Sequence, residues 1–388
     1  MSTALVVTAL VIGLPGLATA LHLGLLALAS LFYRDRAPRG DLQFRLLVLI
    51  PAHDEELVIG RCLQAIEDDR RERDSVLVVA DRCTDRTAEI ARSFGATVLE
   101  RHAGEEPGRA AARQAGLEVA RRMAWDAVVM LDADSVIEPG FFGSCERALA
   151  AGPPAVQARS ESRGGQGLGA EASLAAFALQ GITIPRGRAR LGLSVRLRGT
   201  GMAIRRDVAF AHHFHAPASE DLVFTLDLLL AGIRCAHVES ARLHSDGTPD
   251  WESFGGQKVR YEAGRLSAAR AYVGPLLSRA VRKRDSACLE AAWFLATLPF
   301  AMAVLSTAAA ATLAAVAGAS SLAAVMAAAL ATLVLVLVIG LVQAGARLRT
   351  WLVLLAAPWY IAWKAAVQLR ALASVLRNRD YYPPTARA

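Results

Sequence analysis

Val128-Val129-Met130-Leu131-Asp132-Ala133-Asp134-Ser135 is the stretch on which the reading of this chain turns. Four consecutive apolar residues without alternation predict a strand buried on both faces. The two acids then fall at its C-terminal mouth, where open α/β sheets hold their ligands. An Asp-x-Asp at such a mouth suits a divalent cation gripping a diphosphate, because hard cations take carboxylate and phosphate oxygens together. A buried strand running into a loop with two solvated aspartates has the same pattern, so the surrounding sequence has to separate the two.

Outward from this stretch, strand-like and helix-like runs alternate. Leu46-Leu47-Val48-Leu49-Ile50 reads as a buried strand ended by Pro51, and 55–68 carries apolar residues at helical spacing (Leu57, Ile59, Leu63, Ile66). Ser75-Val76-Leu77-Val78-Val79 is the next strand. Asp81-Arg82-Cys83-Thr84-Asp85 is its loop, with Thr84 or Asp85 capping a helix that runs to about Phe94. Thr97-Val98-Leu99 is a short strand, and Arg109 to Arg122 a helix leading into the Asp-x-Asp strand. This βαβαβ order predicts an α/β fold, a mostly parallel sheet with helices on both faces. Three polar clusters then fall at strand ends on one sheet edge: Pro51-Ala52-His53-Asp54-Glu55-Glu56, Asp81 with Asp85, and Asp132 with Asp134. Carboxylates converging on one edge repel unless a cation or a donor-rich ligand sits among them. Helix capping explains part of Asp85 and Asp54, but not all three clusters.

The chain of 388 residues is 54% hydrophobic, apolar enough to predict membrane segments. Residues 1–33 contain no Lys, Arg, Asp or Glu and are followed by Arg34, Arg36 and Arg39. A signal peptide carries its positive charge before the apolar run, so 1–33 reads as an uncleaved anchor with its N-terminus outside. Ala291 to Ala346 is uncharged and broken at Gly318-Ala319-Ser320-Ser321, which predicts two spanning helices, 291–317 and 322–346. The apolar run Trp351 to Trp363 is short and contains Pro358, so 351–376 reads as an interfacial or re-entrant helix. The expected organisation is an anchor (1–33), a cytoplasmic domain (34–284) and a C-terminal membrane region (285–388), placing the protein as a multi-pass component of the cytoplasmic membrane. The net charge of +7 lies largely beside the membrane segments and calls for no nucleic-acid partner. The five cysteines show no metal or redox spacing, as expected of a reduced compartment. Arg163-Gly164-Gly165-Gln166-Gly167-Leu168-Gly169 reads as a mobile loop or a plain connection.

The ordered motifs Pro51-Ala52-His53-Asp54-Glu55-Glu56, Val78-Val79-Ala80-Asp81-Arg82-Cys83-Thr84-Asp85-Arg86-Thr87 and Leu131-Asp132-Ala133-Asp134 resemble the family 2 glycosyltransferases with a GT-A-type nucleotide-sugar domain. Arg198-Gly199-Thr200-Gly201-Met202-Ala203-Ile204 is similar to that family's Gly-x-Gly-Met-Ala segment beside the acceptor site. Ser219-Glu220-Asp221-Leu222 resembles the Glu-Asp that opens its catalytic helix. Gln257-Lys258-Val259-Arg260-Tyr261 resembles the Gln-x-x-Arg-Trp motif of the membrane-bound, cellulose-synthase-like and hyaluronan-synthase-like branch. The resemblance covers about residues 45–270. It departs from the family at Ala80, where many members have an Asp, at Asp54 for Asn, at Pro107-Gly108-Arg109 for Arg-Gly-Lys-Gly, and at Tyr261 for Trp.

The resemblance implies a hexosyl- or N-acetylhexosaminyltransferase using a nucleotide-sugar, with UDP-sugars first, and Mg2+ or Mn2+. Pro51, Ala52, Glu55, Asp81, Asp132 and Arg109 would bind the nucleotide; Asp134, with Asp132, would hold the metal. Gln257, Arg260, Tyr261, Gly201 and Met202 would serve the diphosphate and acceptor. Metal neutralisation of a departing diphosphate lowers the barrier by several kcal/mol. Asp221 is the expected general base, with Glu220 as its alternative; either acid could instead cap the helix. One base without an opposing nucleophile implies direct, inverting attack. His212, His213 and His215 invite a zinc reading but lack matched Cys or Glu spacing, and His244 is expected just past the strand 234–239, near the metal. The helix from Glu171 to Gln180 is expected in the core or at the bilayer interface. The expected acceptor is a lipid or glycan at the membrane. Few spans make a polysaccharide channel hard to build without an oligomer or partner subunit. A non-catalytic nucleotide-binding scaffold would be expected to lose Asp221 or the Asp-x-Asp. A transporter would need polar groups along its helices.

Overall fold

Unbroken apolar pentapeptides can be buried on both faces only at the centre of a sheet covered by helices on either side, and that is where they lie. The structure, a computed structural model, describes residues 3–35, 44–163, 168–215, 219–246 and 251–377. The 164–167 glycine run, Arg36, Arg39 and the C-terminal 378–388 fall outside the described residues. The chain packs as two compact units: a sheet unit, Arg34–Arg163 with Gly192–Asp246, and a helical unit, Met1–Tyr33, Gly164–Leu191 and Gly247–Ala388.

After a first helix α1 (Thr3–Leu31), the sheet unit runs β1 (Leu46–Ala52), α2 (Ile59–Asp69), β2 (Ser75–Asp81), α3 (Thr87–Ser93), β3 (Thr97–Arg101), α4 (Arg109–Ala120), β4 (Ala127–Met130), β5 (Ser135–Ile137), α5 (Phe141–Ala150) and β6 (Ala155–Arg163). Helices α6 (Leu168–Phe177) and α7 (Ile184–Arg190) belong to the helical unit; β7 (Met202–Arg205), α8 (Arg206–Ala211), α9 (Glu220–Ala231) and β8 (Cys235–Asp246) complete the sheet unit. The sheet order is β3-β2-β1-β4-β7-β6-β8-β5. Strands β1 to β4 are parallel, whereas β7 runs antiparallel to both β4 and β6. Side-chain alternation divides the core. Leu46, Val48 and Ile50 face α2, α3 and α5, while Leu47 and Leu49 face α4 and α9. Each such Leu, Ile or Val contributes about 1.5–3 kcal/mol on full burial. Because β2 and β4 flank β1 on opposite sides, the strand order reverses at β1, and the crevice beyond its C-terminal end is the switch point of the sheet.

Local chemistry sets several boundaries differently from the sequence reading. The helix expected from residue 55 starts at Ile59, because 55–58 form a turn closed by Val58 N–H to Glu55 O at 3.0 Å. β4 ends at Met130, and Leu131 N–H still bonds Leu49 O at 3.1 Å. β8 continues through His244, so that histidine lies inside a strand and not after it. It pairs there with Val136 of β5.

In the helical unit, α6 runs through a π-helical stretch, Ala178–Thr183, into α7. α10 (Trp251–Lys283), α11 (Ser286–Ala296), α12 (Phe300–Val316), α13 (Ser320–Gln343) and α14 (Leu348–Leu376) follow. The single helix expected over 291–317 is broken between Ala296 and Phe300, with α11 and α12 bent by 67°. Pro299 accounts for the break: it has no N–H to donate and disfavours helical geometry at Leu298. Among the described residues, Thr3–Leu31 and Ser320–Gln343 are long and apolar enough to cross a membrane, and the bent pair adds a third if it counts as one span. α14 is one continuous helix containing Pro358 and does not meet that standard.

Small residues let the apolar helices approach closely. A Cβ at Gly16 of α1 would lie 2.2 Å from Ser306 Oγ, and one at Gly187 of α7 would lie 2.2 Å from the Leu26 carbonyl oxygen. Polar side chains add specificity. Arg188 and His22 both engage Glu290 Oε1 at 2.9 Å, and Gln343 links Thr183 to Ser30. Gly187→Ala should therefore push α7 off α1 and lower stability by about 1–3 kcal/mol. Gly274→Ala, on an open face of α10 with no atom within 4 Å, should be neutral or stabilising by up to about 1 kcal/mol. Thermal unfolding of the two purified variants in detergent checks the contrast.

Candidate active site

The crevice at the β1/β4 switch point is lined by residues from five segments of the sheet unit. Asp132 follows β4, and its backbone N–H donates to Thr200 Oγ1 at 3.1 Å. Thr200 also shares a hydrogen bond with Ser135 Oγ at 2.7 Å, which ties the Asp-x-Asp turn to the Gly-Thr-Gly segment. That segment needs its glycines. Gly199 and Gly201 have φ of +81° and +69°, and a Cβ at Gly201 would fall 2.3 Å from Leu243 Cδ2. Gly201 N–H closes on Met130 O at 2.8 Å, and Met202, opposite Met130, is buried in the core.

Two arginines one turn apart on α4 point at Asp132. Arg109 Nη1 donates to Asp132 Oδ2 at 3.2 Å and is half-exposed. Arg113 is 0% exposed. It donates through Nη2 to Asp132 Oδ1 (3.3 Å) and Gly199 O (2.9 Å), and through Nη1 to Glu220 Oε1 (2.9 Å). Arg196 Nη2 lies 3.3 Å from each oxygen of Asp221. Glu220 and Asp221 open α9, preceded by Ser219 with φ of +57°. The Arg109 guanidinium is held above its ordinary range by Asp132 foremost, and then by Glu220, Asp134 and Asp221. Of these four acids, singled out from the sequence, Asp132 is the one in contact with Arg109. Cys62 reports the same field from below: burial foremost, then Asp134 and Asp132, push its thiol up, and it donates to Asp132 O at 3.7 Å.

The remaining expected nucleotide contacts line the same edge. Pro51 and Ala52 end β1 opposite Val79 and Ala80 of β2. Glu55 N–H donates to Thr87 Oγ1 at 2.8 Å. Asp81, the last residue of β2, is 4% exposed and lies against Arg101 of β3, itself 5% exposed, at 2.8 Å. Arg82 closes on its other oxygen from the exposed side at 3.2 Å. Arg101 also holds the loop after β3, donating to Glu105 Oε2 and Glu106 O.

Asp54, Cys83 and Asp85 form the one group of three ligand-type side chains among the described residues whose donor atoms lie within 4.8 Å of one another. Their hydrogen bonding is that of a turn. Asp54 Oδ1 accepts Thr84 N–H, and Asp85 accepts the N–H groups of Thr87 and Glu56, although the N-cap of α3 is Arg86 and not the expected Thr84 or Asp85. Burial foremost raises the Cys83 thiol, which disfavours a thiolate ligand. The triple-histidine segment forms no such group: His215 contacts His213 O and Asp227, and His212 lies edge-on to Phe224. All five cysteines are free. Gln257, Arg260 and Tyr261 lie on α10 at i, i+3 and i+4, one face of a helix in the helical unit.

Sequence reading missed Arg113 and Arg196. Arg113 sits four residues after Arg109 on an Ala-rich helix, so the i, i+4 pair was the available signal. Arg196 alternates with the buried Val195 and Leu197, a period-2 pattern that assigns it to the polar face.

A family model described as "Glycosyltransferase like family 2" matches residues 44–263. No curated protein matches the chain. Among solved structures, the chain is similar to the mannosyltransferase PcManGT from Pyrobaculum calidifontis, solved in complex with GDP-Man and Mn2+. The two share 19% identity over 97% of this chain and 100% of that one, with a TM-score of 0.59. It is also similar to glucosyl-3-phosphoglycerate synthase from Mycobacterium tuberculosis, solved with Mn2+, UDP and phosphoglyceric acid. Identity there is 22% over 59% of this chain and 84% of that one, with a TM-score of 0.44. The likeness to the mannosyltransferase shows a shared fold.

The two arginines on Asp81 should be unequal. Arg101→Met leaves a buried carboxylate without its buried partner and should cost about 3–5 kcal/mol. Arg82→Ala removes the more exposed partner and should cost no more than about 1 kcal/mol. Chemical denaturation of both variants measures the difference.

Proposed function

The chain belongs to the family 2 glycosyltransferases and has a GT-A-type α/β fold, and from that premise we propose that it transfers a sugar from a nucleoside-diphosphate donor, with inversion, to a lipid or glycan acceptor at the cytoplasmic face of a membrane. The observation that carries this reading is the ion-pair network at the sheet switch point, in which Arg109 and Arg113 hold Asp132, Arg113 also holds Glu220, and Arg196 holds Asp221. Dinucleotide and sugar-nucleotide ligands bind at such crevices. A UDP-sugar is the first donor to test, with GDP-sugars beside it.

The donor set fits a hard divalent cation, Mg2+ or Mn2+: carboxylate oxygens two residues apart at a strand end, with a protonated thiol beneath them and no soft ligand competing. Asp134, with Asp132, would hold it, and it would neutralise the diphosphate as the sugar leaves. Asp132 is tethered by Arg109 and Arg113, so its carboxylate is oriented before substrate arrives. Asp81 would accept a base N–H, its carboxylate held in place by Arg101 and Arg82. Arg109, half-exposed and facing the acids, is placed to meet the diphosphate.

Asp221 is the general base. Its carboxylate, at the N-terminal end of α9, is tethered by Arg196 through contacts of 3.3 Å, longer than the 2.9 Å bond that holds Glu220 to Arg113. An acceptor hydroxyl donates its proton to Asp221 as its oxygen attacks the anomeric carbon. The bond to the diphosphate oxygen breaks on the opposite side, and the diphosphate leaves with the bonding pair. Arg260 would add a cation at the diphosphate and Tyr261 an aromatic face for a sugar, as the family motif implies; Gln257 completes that motif. A multi-pass arrangement with the N-terminus outside follows from the Arg-rich flank after α1. Two apolar helices and one bent pair favour a single addition to a lipid or short glycan over polymer threading, unless an oligomer or partner subunit completes a channel.

Asp221→Asn should leave nucleotide-diphosphate affinity near wild type while transfer falls by roughly 10²-fold or more. Asp81→Asn should show the opposite balance, weakening nucleotide binding more than turnover. Calorimetry with the nucleoside diphosphate, set beside initial rates, gives both numbers. Wild-type turnover in Asp221→Asn would move the base to Glu220; lost nucleotide binding there would put α9 at the donor.

A further inference from the structure

We propose that Arg113 is a positioning residue that sets the register between the donor-binding turn and the helix carrying the base, and that it does so by withdrawing Glu220 from chemistry. This rests on the assignment of Asp221 as base.

Three observations support it. Arg113 is completely buried, so its charge must be matched within the protein. Its partners come from three separate segments: Asp132 after β4, Gly199 in the Gly-Thr-Gly segment, and Glu220 at the first position of α9. A planar guanidinium fixes the directions of all three contacts at once, which a flexible ammonium cannot do. Phe214 adds a cation–π contact, its ring centre 5.8 Å from the guanidinium carbon. Phe214 in turn stacks on Phe224 of α9 at 4.2 Å. The cation is thus held to α9 both by Glu220 and through an aromatic stack.

The consequence follows from adjacency. Glu220 and Asp221 are successive residues on a helix, so they project about 100° apart, and fixing one fixes the other. With Glu220 bonded to Arg113 at 2.9 Å and the same guanidinium bonded to Asp132, the distance from donor turn to base is set by a single rigid side chain. Asp132 does not depend on Arg113 alone, because Arg109 and Thr200 also hold it. Loss of Arg113 geometry should therefore displace the base more than the donor.

The test is Arg113→Lys, which keeps the charge and loses the fork, read in the full-length protein. The expected result is nucleotide-diphosphate affinity within about threefold of wild type with Mn2+ present, and kcat reduced by about 10²-fold, the usual effect of misplacing a reacting group by about 1 Å. A second variant moves Arg113 without removing it. Phe214→Leu takes away the ring that lies 5.8 Å from its guanidinium and stacks on Phe224, so it should give the same split with a smaller kcat loss. Near-normal kcat in whichever variant folds would overturn the proposal and leave Arg113 as a structural counter-ion. A loss of nucleotide affinity as large as the loss of kcat would also overturn it, by placing its action on the donor. A slow Asp221→Asn beside a fast Arg113→Lys removes the positioning role and keeps the base; a fast Asp221→Asn removes both.

Discussion

A fully buried guanidinium has to find its counter-charges within the protein, and at Arg113 the sheet unit supplies them through both Nη atoms. The side chain leaves α4, passes beneath the Asp-x-Asp turn and meets α9. Meeting its needs brings together a strand end, a glycine segment and a helix N-terminus that are far apart in the chain. Glycine at 199 follows, because a side chain there would press on the guanidinium. So does the acid at 220, the first residue of its helix, where the backbone dipole already favours negative charge. Polar groups that could have repelled one another form an alternating pattern of Asp132, Arg113 and Glu220, with Arg109 and Arg196 at its flanks.

Around this network the fold supplies rigidity. β1 and β4 are buried on both faces, so the loops that follow them leave from fixed points. The reversal of strand order at β1 opens the crevice into which both loops lead. The chemistry of a glycosyltransferase needs little more from the sheet than this: a place for a diphosphate, a cation beside it, and an acid held at a set distance. The helical unit has its own logic. Its helices meet through glycines and through a few buried polar contacts, among them Arg188, Glu290 and His22, which an apolar surrounding makes costly to break.

Much of the sheet unit was legible in the sequence because its signals are local. Apolar runs without alternation marked β1, β2 and β4, and the acids at their ends fall on the edge where the site is proposed. The GT-A-type fold and family 2 membership inferred from ordered motifs agree with the family match and the structural likeness. What escaped was set by tertiary contact. Arg113 in an Ala-rich helix looks like a solvated residue until three distant segments close over it. His244 was read past a strand end because the continuation of β8 depends on pairing with β5 and β6, which no local pattern reveals. The break before Phe300 had a local cause in Pro299, but the uniform apolarity of the segment masked it.

The central claim is that the acids at the switch point form a metal-assisted site for a nucleoside-diphosphate sugar. Ligand-dependent thermal unfolding of the purified full-length protein tests it most directly, with UDP- and GDP-sugars, in Mn2+ and in EDTA. The account predicts that one of these donors stabilises the protein in Mn2+, by about 2.7 kcal/mol at a hundredfold excess over Kd. It also predicts that the gain disappears in EDTA and in Asp134→Ala. Stabilisation that persists in EDTA and in Asp134→Ala, or none from any nucleotide sugar with Mn2+ present, would contradict it.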